Sequence, residues 1–339
     1  MLSSPHLPRR VRACAAGLVV LALAACSPAG AAGPGEPLRP VTVVLDWTPN
    51  TNHSGLYLAR DRGYFADAGL DVTIVEPGEA SGAQLVAAGR AQFAFSVAEG
   101  LVPARGQGAD IVSVAAVIQH NTSSLLSLTS SGIERPRDLE GKRYGSYGSK
   151  LESALIGALV TCDGGDPAKV EMPPLVSEDF RIGLTEGQYD AAWVFDAWDT
   201  IRLRDVDGLD VSTLAFADHT DCIPDWYTPL IATSGELVRD DPALVRSFVG
   251  AISHGYQDAI AEPDAAADAI LAAAPELEPA LVEASAAWLA ERYTDDPARW
   301  GAQDRRVWDE FVAFLVDHDL IDAGFDTDAA WTDEFLPRP

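Results

Sequence analysis

The stretch DWTPNTNHSG, residues 46–55, lies between two segments of different periodicity. Before it, residues 41–45 form a short run rich in β-branched side chains, which is typical of a buried strand. After it, residues 55–63 have the apolar spacing of a helix. A strand, a polar loop and a helix in this order predict an α/β unit. The loop then lies at the carboxyl end of a strand, where open α/β sheets bind ligands.

This loop carries more polar and aromatic side chains than a turn requires. Asn50 and Asn52 each offer donors and an acceptor, and neutral His53 offers one of each. A structural interpretation has the asparagines cap the following helix while Trp47 fills the core. Because all four side chains share one loop, the sequence favours a wall of a ligand site, suited to the edge and face of a heterocycle.

Strand-like and helix-like segments alternate along the rest of the chain without an internal repeat. The early strand-helix order predicts a mostly parallel sheet with helices on both faces. The pattern restarts near residue 130, and the chain is almost wholly helical after residue 233. The predicted strands are 41–45, 70–75, 92–96, 111–118, 143–145, 190–195 and 227–233. The predicted helices are 55–63, 84–88, 151–159, 243–260, 265–273, 280–293 and 304–316.

Two α/β lobes with two chain crossovers explain this order most simply. Lobe 1 comprises residues 41–128 plus 229–339, and lobe 2 comprises residues 129–228. The chain crosses near residue 128 and returns near residue 229. A ligand would bind between the lobes, at the carboxyl ends of the strands.

Other polar candidates also follow predicted strands. In the stretch YGSYGSKLE, residues 144–152, Gly148 allows close backbone approach and Glu152 could face a ligand. Ser149-x-x-Glu152 also matches a capping box, so a helix start explains it equally well. Gln119 and Asn121 follow the strand 111–118 and would reach the same cleft.

Aromatic side chains form a third group. Trp193 and Phe195 fall on one face of a predicted strand, which is typical of a core. Rings beyond strand ends can instead stack on a ligand. The candidates for stacking are Trp47, Tyr147, Trp193, Trp198 and Tyr227.

The amino terminus has the form of an export signal. Arg9, Arg10 and Arg12 precede an apolar run at residues 14–25, which is too short for a membrane span. The small residues before Cys26 resemble a bacterial lipobox, with residues 1–25 as signal peptide, Cys26 as the lipidated residue and residues 26–40 as a flexible tether.

The composition excludes some classes of function. A net charge of −27 argues against nucleic acid, because phosphate binding needs clustered Lys and Arg. The sequence contains no Gly-x-Ser-x-Gly, phosphate-loop, His-Glu-x-x-His or Cys-x-x-Cys motif. In an exported chain Cys162 and Cys222 could form a disulfide, but spacing alone leaves this open.

Five segments carry a resemblance to a known family. DWTPNTNHSGLYLARDRGYF, IQHNTSSLLSL, YGSYGSKLE, AAWVFDAWD and DWYTPLIAT are similar to segments of the NMT1/THI5-like family, across residues 41–320. They most resemble its bacterial, ThiY-like members, the solute-binding lipoproteins of ABC importers for thiamine pyrimidine precursors. The resemblance implies a type II periplasmic-binding-protein fold that closes over formylaminopyrimidine or hydroxymethylpyrimidine. It also implies an ABC permease as partner and no catalysis, cofactor or metal. The expected protein is a monomer on the outer side of the membrane, held by its lipid anchor, with Ser96 and Glu99 as further ligand-binding residues.

The same family includes pyrimidine-precursor synthases, which are a competing class. In those enzymes a Lys and a His lie four residues apart, where this chain has Ser96 and Gly100. Their cysteine motif is replaced here by residues 225–229, DWYTP. Binders of sulfonates would need cationic anchors, and the candidate loops supply only Lys150. The sequence therefore favours a pyrimidine binder over a synthase or a sulfonate binder.

Overall fold

The computed structural model describes residues 37–175 and 180–338. Its strands form two sheets, of order β2-β1-β3-β9-β4 and β6-β7-β5-β8. The predicted signal peptide, Cys26 and most of the predicted tether lie outside the described residues. The strands are β1 (Arg39–Val44), β2 (Leu70–Val75), β3 (Phe93–Ser96), β4 (Ile111–Ala116), β5 (Ser123–Leu128), β6 (Tyr144–Gly145), β7 (Ala191–Phe195), β8 (Val211–Ala215) and β9 (Leu230–Ser234).

Helices cover the sheets and form the carboxyl-terminal part of the chain. Two short π-helices, Asp196–Thr200 and Arg202–Val206, follow β7 directly. Within residues 37–175 and 180–338 no helix combines the length and apolar character that crossing a bilayer requires. The α-helices are α1 (Ser54–Asp61), α2 (Tyr64–Asp67), α3 (Gly82–Ala87), α4 (Ala98–Gly106), α5 (Lys150–Cys162), α6 (Phe180–Thr185), α7 (Gly235–Asp240), α8 (Pro242–Ala261), α9 (Pro263–Ala273), α10 (Pro279–Ala290) and α11 (Arg305–Asp317).

One strand in each sheet runs against the others. β1 is parallel to β2 and β3, whereas β9 is antiparallel to β3 and β4. In the second sheet β6 and β7 are parallel, and β5 is antiparallel to β7 and β8. The prediction of a mostly parallel sheet is therefore confirmed except for β5 and β9. These are the two strands by which the chain enters the second sheet and returns to the first.

The first crossover lies a few residues earlier than the sequence predicts. β5, residues 123–128, was expected in lobe 1, but it pairs with β7 and β8 in the second sheet. The reason is that β5 has no β-branched residue, and only its partners make it a strand. β9, which begins at Leu230, pairs with β3 and β4 of the first sheet. As limits of the lobes, the two predicted ranges remain predictions.

Close packing of α8 against α1 fixes the loop 46–55. A Cβ on Gly255 would lie 2.0 Å from Gly55 O, and a Cβ on Gly55 would lie 2.3 Å from the Tyr256 ring. Both positions therefore need glycine. Tyr256 Oη donates to Asn52 O at 2.6 Å, so α8 also holds the loop by a hydrogen bond.

Cys162 and Cys222 form a disulfide with a Cα–Cα distance of 5.6 Å. It joins the end of α5 to the segment that follows β8. The alternative that the sequence left open is thereby decided in favour of the bond.

Candidate functional site

Exposed aromatic rings mark the ends of strands in both sheets. Trp47, after β1, is 45% exposed; Tyr147, after β6, is 54% exposed; and Phe195, the last residue of β7, is 37% exposed. An exposed aromatic side chain offers a flat face on which another ring can stack. Three of the predicted site residues are therefore exposed at strand ends in this structure.

A cavity of about 260 Å³ lies beside Trp47. Its other lining residues come from α6 and from the π-helices after β7, and they include the predicted Trp198. Arg181 and Arg202 also line it. The sequence considered only the loops that follow strands, where Lys150 is the one cation, and these two arginines lie on helices instead.

A larger groove of about 490 Å³ lies between Arg105 and Phe325. It includes Ala109 and Asp110, which immediately precede β4. This is the amino end of that strand, whereas ligands of open α/β sheets bind at the carboxyl ends. The smaller cavity is therefore the better candidate.

Hydrogen bonds within the loop 46–55 use much of its polar capacity. Asn50 Oδ1 accepts from Asn52 N at 2.9 Å, and Asn50 Nδ2 donates to Thr48 O at 2.9 Å. His53 Nδ1 accepts from Asn50 N at 3.2 Å, so Nε2 carries the proton and donates to Asp46 Oδ1 at 2.8 Å. His53 is fully buried against Phe95, with ring centroids 4.7 Å apart.

These bonds favour a structural role for Asn50 and His53. Asn50 is the N-cap of the short 3₁₀ turn Thr51–His53, which is the capping alternative that the sequence left open. The half-buried Asn52 side chain makes no hydrogen bond to any described residue, so its amide is the more available of the two. Contact of any of the three with a ligand remains a prediction.

Glu152 organises the loop that carries Tyr147. Its carboxylate is buried and accepts from Tyr144 Oη and Ser146 Oγ, both at 2.7 Å. It also accepts from Tyr147 N at 3.1 Å and Gly148 N at 3.0 Å. Ser149 caps α5, but the expected reciprocal bond goes to Tyr147 and Gly148 instead of to Ser149. Glu152 already accepts from four donors, so the structure favours support of the loop over a direct hydrogen bond to a ligand.

The predicted polar run after β4 lies at the first crossover. Gln119 Oε1 accepts from Thr294 Oγ1 at 2.7 Å and from Asp295 N at 2.9 Å, which fixes it to the segment after α10. Asn121 Oδ1 accepts from Ser123 N at 2.8 Å, and its Nδ2 is buried without an acceptor among the described residues. Asn121 therefore keeps a free donor, whereas the oxygen of Gln119 is occupied.

Glu99 lies at the start of α4, three residues after Ser96 at the end of β3. It accepts from Trp226 Nε1 at 3.0 Å and from Thr228 Oγ1 at 3.3 Å. Burial raises the pKa of Glu99 to about 7, against the lowering effect of these bonds, and nearby Asp46 raises it further. A carboxyl group with this pKa can present either protonation state to a ligand near neutral pH.

The buried aromatic candidates divide into two groups. Trp193 is 9% exposed, and its Nε1 has no acceptor among the described residues. Tyr227 is only 2% exposed, it packs on Trp308, and its Oη accepts from Asp304 N at 2.6 Å. Helix α11 covers the ring of Tyr227, so among the stacking candidates the structure favours the exposed rings over Tyr227.

The predictions from sequence missed two aspartates that hold histidines of the candidate loops. Asp46 binds His53, and Asp225 binds His120 Nδ1 at 2.7 Å. Each aspartate immediately precedes a tryptophan, and this repeated Asp-Trp pair was the available signal. Among the described residues the only cluster with possible metal ligands is Cys162, Asp221 and Cys222, and its two sulfurs are bonded to each other.

Comparisons with known proteins identify relatives that match most of this chain. The formylaminopyrimidine-binding protein of Halalkalibacterium halodurans is 28% identical, over 90% of this chain and 93% of its own. The 4-amino-5-hydroxymethyl-2-methylpyrimidine phosphate synthase of Legionella pneumophila is 25% identical, over 88% of this chain and 92% of its own. Both a binding protein and an enzyme are thus among its relatives.

Similarity to solved structures shows the fold. The periplasmic aliphatic sulphonate binding protein SsuA of Escherichia coli has a TM-score of 0.68 at 14% identity, over 89% of this chain and 94% of its own. The predicted two-lobed, type II periplasmic-binding-protein fold is confirmed. The family model described as NMT1/THI5 like matches residues 50–266, and the chain belongs to that family.

Proposed function

We propose that this protein is the extracytoplasmic binding component of an ABC importer and that it binds a pyrimidine precursor of thiamine between its lobes. Formylaminopyrimidine and hydroxymethylpyrimidine are the candidate ligands. The observation that carries the proposal is the exposure of Trp47, Tyr147 and Phe195 at strand ends of both sheets. Stacking on each ring contributes roughly 0.5–1.5 kcal/mol beyond the burial of area.

Polar groups at strand ends of the first sheet suit the edge of an aminopyrimidine. Glu99 accepts hydrogen bonds, and Asn52 offers both a donor and an acceptor. A site whose polar groups are left unpaired by the wrong ligand rejects close analogues strongly. The relative from Halalkalibacterium halodurans, named as a formylaminopyrimidine-binding protein, supports this ligand class.

A sulfonate is the second candidate ligand. Arg181 and Arg202 line the cavity beside Trp47 and would bind an anionic head group. Asp199 lines the same cavity and opposes an anion there. A sulfonate would therefore need the two arginines for binding, whereas a neutral pyrimidine would not.

A synthase is the competing class of function. Ser96 and Gly100 occupy the positions where the family's synthases carry Lys and His. Serine has no amine that could form an imine, and glycine has no imidazole ring. We therefore propose that the protein binds without catalysis. Incubation with pyridoxal phosphate should give no pyrimidine product, and formation of that product would contradict this part of the proposal.

Calorimetric titration of the purified chain tests the ligand. We expect binding of formylaminopyrimidine or hydroxymethylpyrimidine and none of an alkylsulfonate. Trp47→Leu should weaken binding. The matched control is Trp288→Leu, which removes the α10 indole that packs against Arg292. Tight alkylsulfonate binding that is lost in Arg202→Gln, with no pyrimidine binding, would refute the proposed ligand.

Anchoring and assembly complete the proposal. We propose that Cys26 is lipidated, that the protein is a monomer, and that it delivers its ligand to an ABC permease. Cys26→Ser should release the protein from the membrane fraction of a bacterial host. Retention of this variant in the membrane would contradict a lipid anchor at Cys26.

A further inference from the structure

The carboxylate of Asp225 joins the two chain crossovers. Asp225 lies five residues before β9, on the returning crossover. Its Oδ1 accepts from Asn121 N at 2.9 Å and from Trp226 N at 2.9 Å, and its Oδ2 binds His120 Nδ1 at 2.7 Å. Two of these three donors belong to the first crossover, between β4 and β5.

The two crossovers run side by side at this point. Val117 N donates to Pro229 O at 3.0 Å, so the segments are also joined by backbone. His120 Nε2 lies 3.4 Å from Asp295 Oδ2, in the segment after α10. Hydrogen bonding to Asp225 holds the pKa of His120 at about 9, which keeps the imidazole charged at neutral pH.

The next residue, Trp226, contacts elements of both sheets. Its ring stacks on Phe311 of α11 with centroids 5.4 Å apart, and it meets Trp193 of β7 edge-on at 6.0 Å. Its Nε1 donates to Glu99 after β3. A rotation of one lobe about the crossovers must therefore move Trp226 against at least one of these neighbours.

The conformation described here has the two lobes in contact. Ser285 Oγ of α10 donates to Ala197 O, directly after β7. The bonds of Asp225 depend on the relative position of the crossovers, so they stabilise this arrangement over one with a different hinge angle. A contact that is stronger in one of two states shifts the equilibrium between them.

We propose that Asp225 is a positioning residue that holds the crossovers at the hinge angle of the ligand-retaining state, without touching the ligand. Loss of its bonds then lets the lobes separate more often, so that bound ligand leaves faster. The association rate, which depends on the open cleft, changes little. The kinetic part of this inference rests on the proposed function.

The test compares Asp225→Ala with Asp163→Ala. Asp163 is a matched control because its side chain is 14% exposed, against 16% for Asp225. It also pairs with a cationic side chain, that of Arg135, and accepts from a backbone N–H, that of Arg137, but away from the crossovers. Asp225→Asn can keep the two bonds to Oδ1 and alters only the contact with His120.

Stopped-flow tryptophan fluorescence with formylaminopyrimidine as the probe measures both rates. We expect Asp225→Ala to raise the dissociation rate about tenfold with an association rate within about twofold, Asp225→Asn to have a smaller effect, and Asp163→Ala to have none. Equal dissociation rates in the two alanine variants would overturn the proposal.

Small-angle X-ray scattering of the chain without ligand keeps the test independent of the ligand. We expect a larger radius of gyration for Asp225→Ala than for the wild type and Asp163→Ala. Equal radii would overturn the hinge role. If the wild type fails to bind the pyrimidine while the radii differ as expected, the proposed ligand is wrong and the role of Asp225 stands.

Discussion

Replacement of Glu152 by glutamine separates loop support from direct contact with a ligand. Glu152 is 1% exposed, and its two oxygens accept from four donors. Glutamine has nearly the same shape, but it replaces one accepting oxygen by an amide group that only donates. The variant therefore changes hydrogen bonding with little change in packing.

The size of the effect follows from which oxygen is replaced. At Oε2 the new amide faces Ser146 Oγ and Gly148 N. The hydroxyl can rotate to accept, and Gly148 N keeps its second bond to Ser146 Oγ at 2.9 Å. At Oε1 the amide would break the bond that Tyr147 N donates, so the Oε2 position is preferred. Loss of one charge-assisted bond and weakening of the others predict a loss of about 2–3 kcal/mol in the free energy of unfolding.

Urea denaturation followed by circular dichroism measures this loss. Ser149→Ala is the control, because it removes only the bond from Glu152 N to Ser149 Oγ and should cost about 1 kcal/mol. Ligand affinity should also fall in Glu152→Gln, since the loop presents Tyr147. Unchanged stability together with a large loss of affinity would refute the reasoning and make Glu152 a direct ligand contact.

Three further predictions concern stability. Replacing Cys162 and Cys222 by serine should lower the free energy of unfolding by about 4 kcal/mol, because the bond closes a loop of 60 residues; urea denaturation checks this, and equal midpoints would contradict it. The hydrogen bond to Asp225 raises the pKa of His120 from 6.5 to about 9. The stabilisation of the folded protein by charged His120 should therefore be complete below pH 6.5 and fall as pH rises to about 9. Thermal unfolding across that range should show this decline in the wild type and not in His120→Gln. Burial raises the pKa of Glu99 from 4.5 to about 7, so stability should decline from pH 4.5 to 7; Glu99→Gln should flatten that decline in the same assay, and an unchanged slope would contradict the assignment.

The sequence predicted the elements whose character is local. β2 has the limits predicted from its alternation, and the long helices after β9 begin and end within a few residues of the expected positions. β5 was missed because SSLLSL has neither β-branched residues nor strict alternation, and its strand conformation depends on β7 and β8. The two π-helices after β7 have no sequence signal of comparable strength.

For the candidate site, the sequence placed side chains on loops but could not predict their exposure. Tyr147 and Tyr227 both lie close to the end of a strand, yet Tyr147 is 54% exposed and Tyr227 is 2% exposed. The difference arises from Trp308 of α11, which lies 81 positions beyond Tyr227 in the sequence and packs on its ring. Exposure therefore depends on tertiary packing that neither periodicity nor residue type contains.

Some polar groups near the crossovers have hydrogen-bond partners, and others are buried without one. Asp225 takes three donors, while Asn121 Nδ2, Ser123 Oγ and Trp193 Nε1 have no partner among the described residues. Each unpaired buried group costs about 1–3 kcal/mol in this arrangement, and we infer that part of this cost is recovered when the lobes separate and water reaches the groups. A binding protein that closes on its ligand needs these terms to be nearly balanced. If closure were strongly favoured without ligand, the ligand could not enter. If closure were strongly disfavoured, the contacts of one small molecule could not drive it. The opposing terms at the crossovers can supply such a balance, which is why a change at Asp225 should alter retention of the ligand without altering the binding surface.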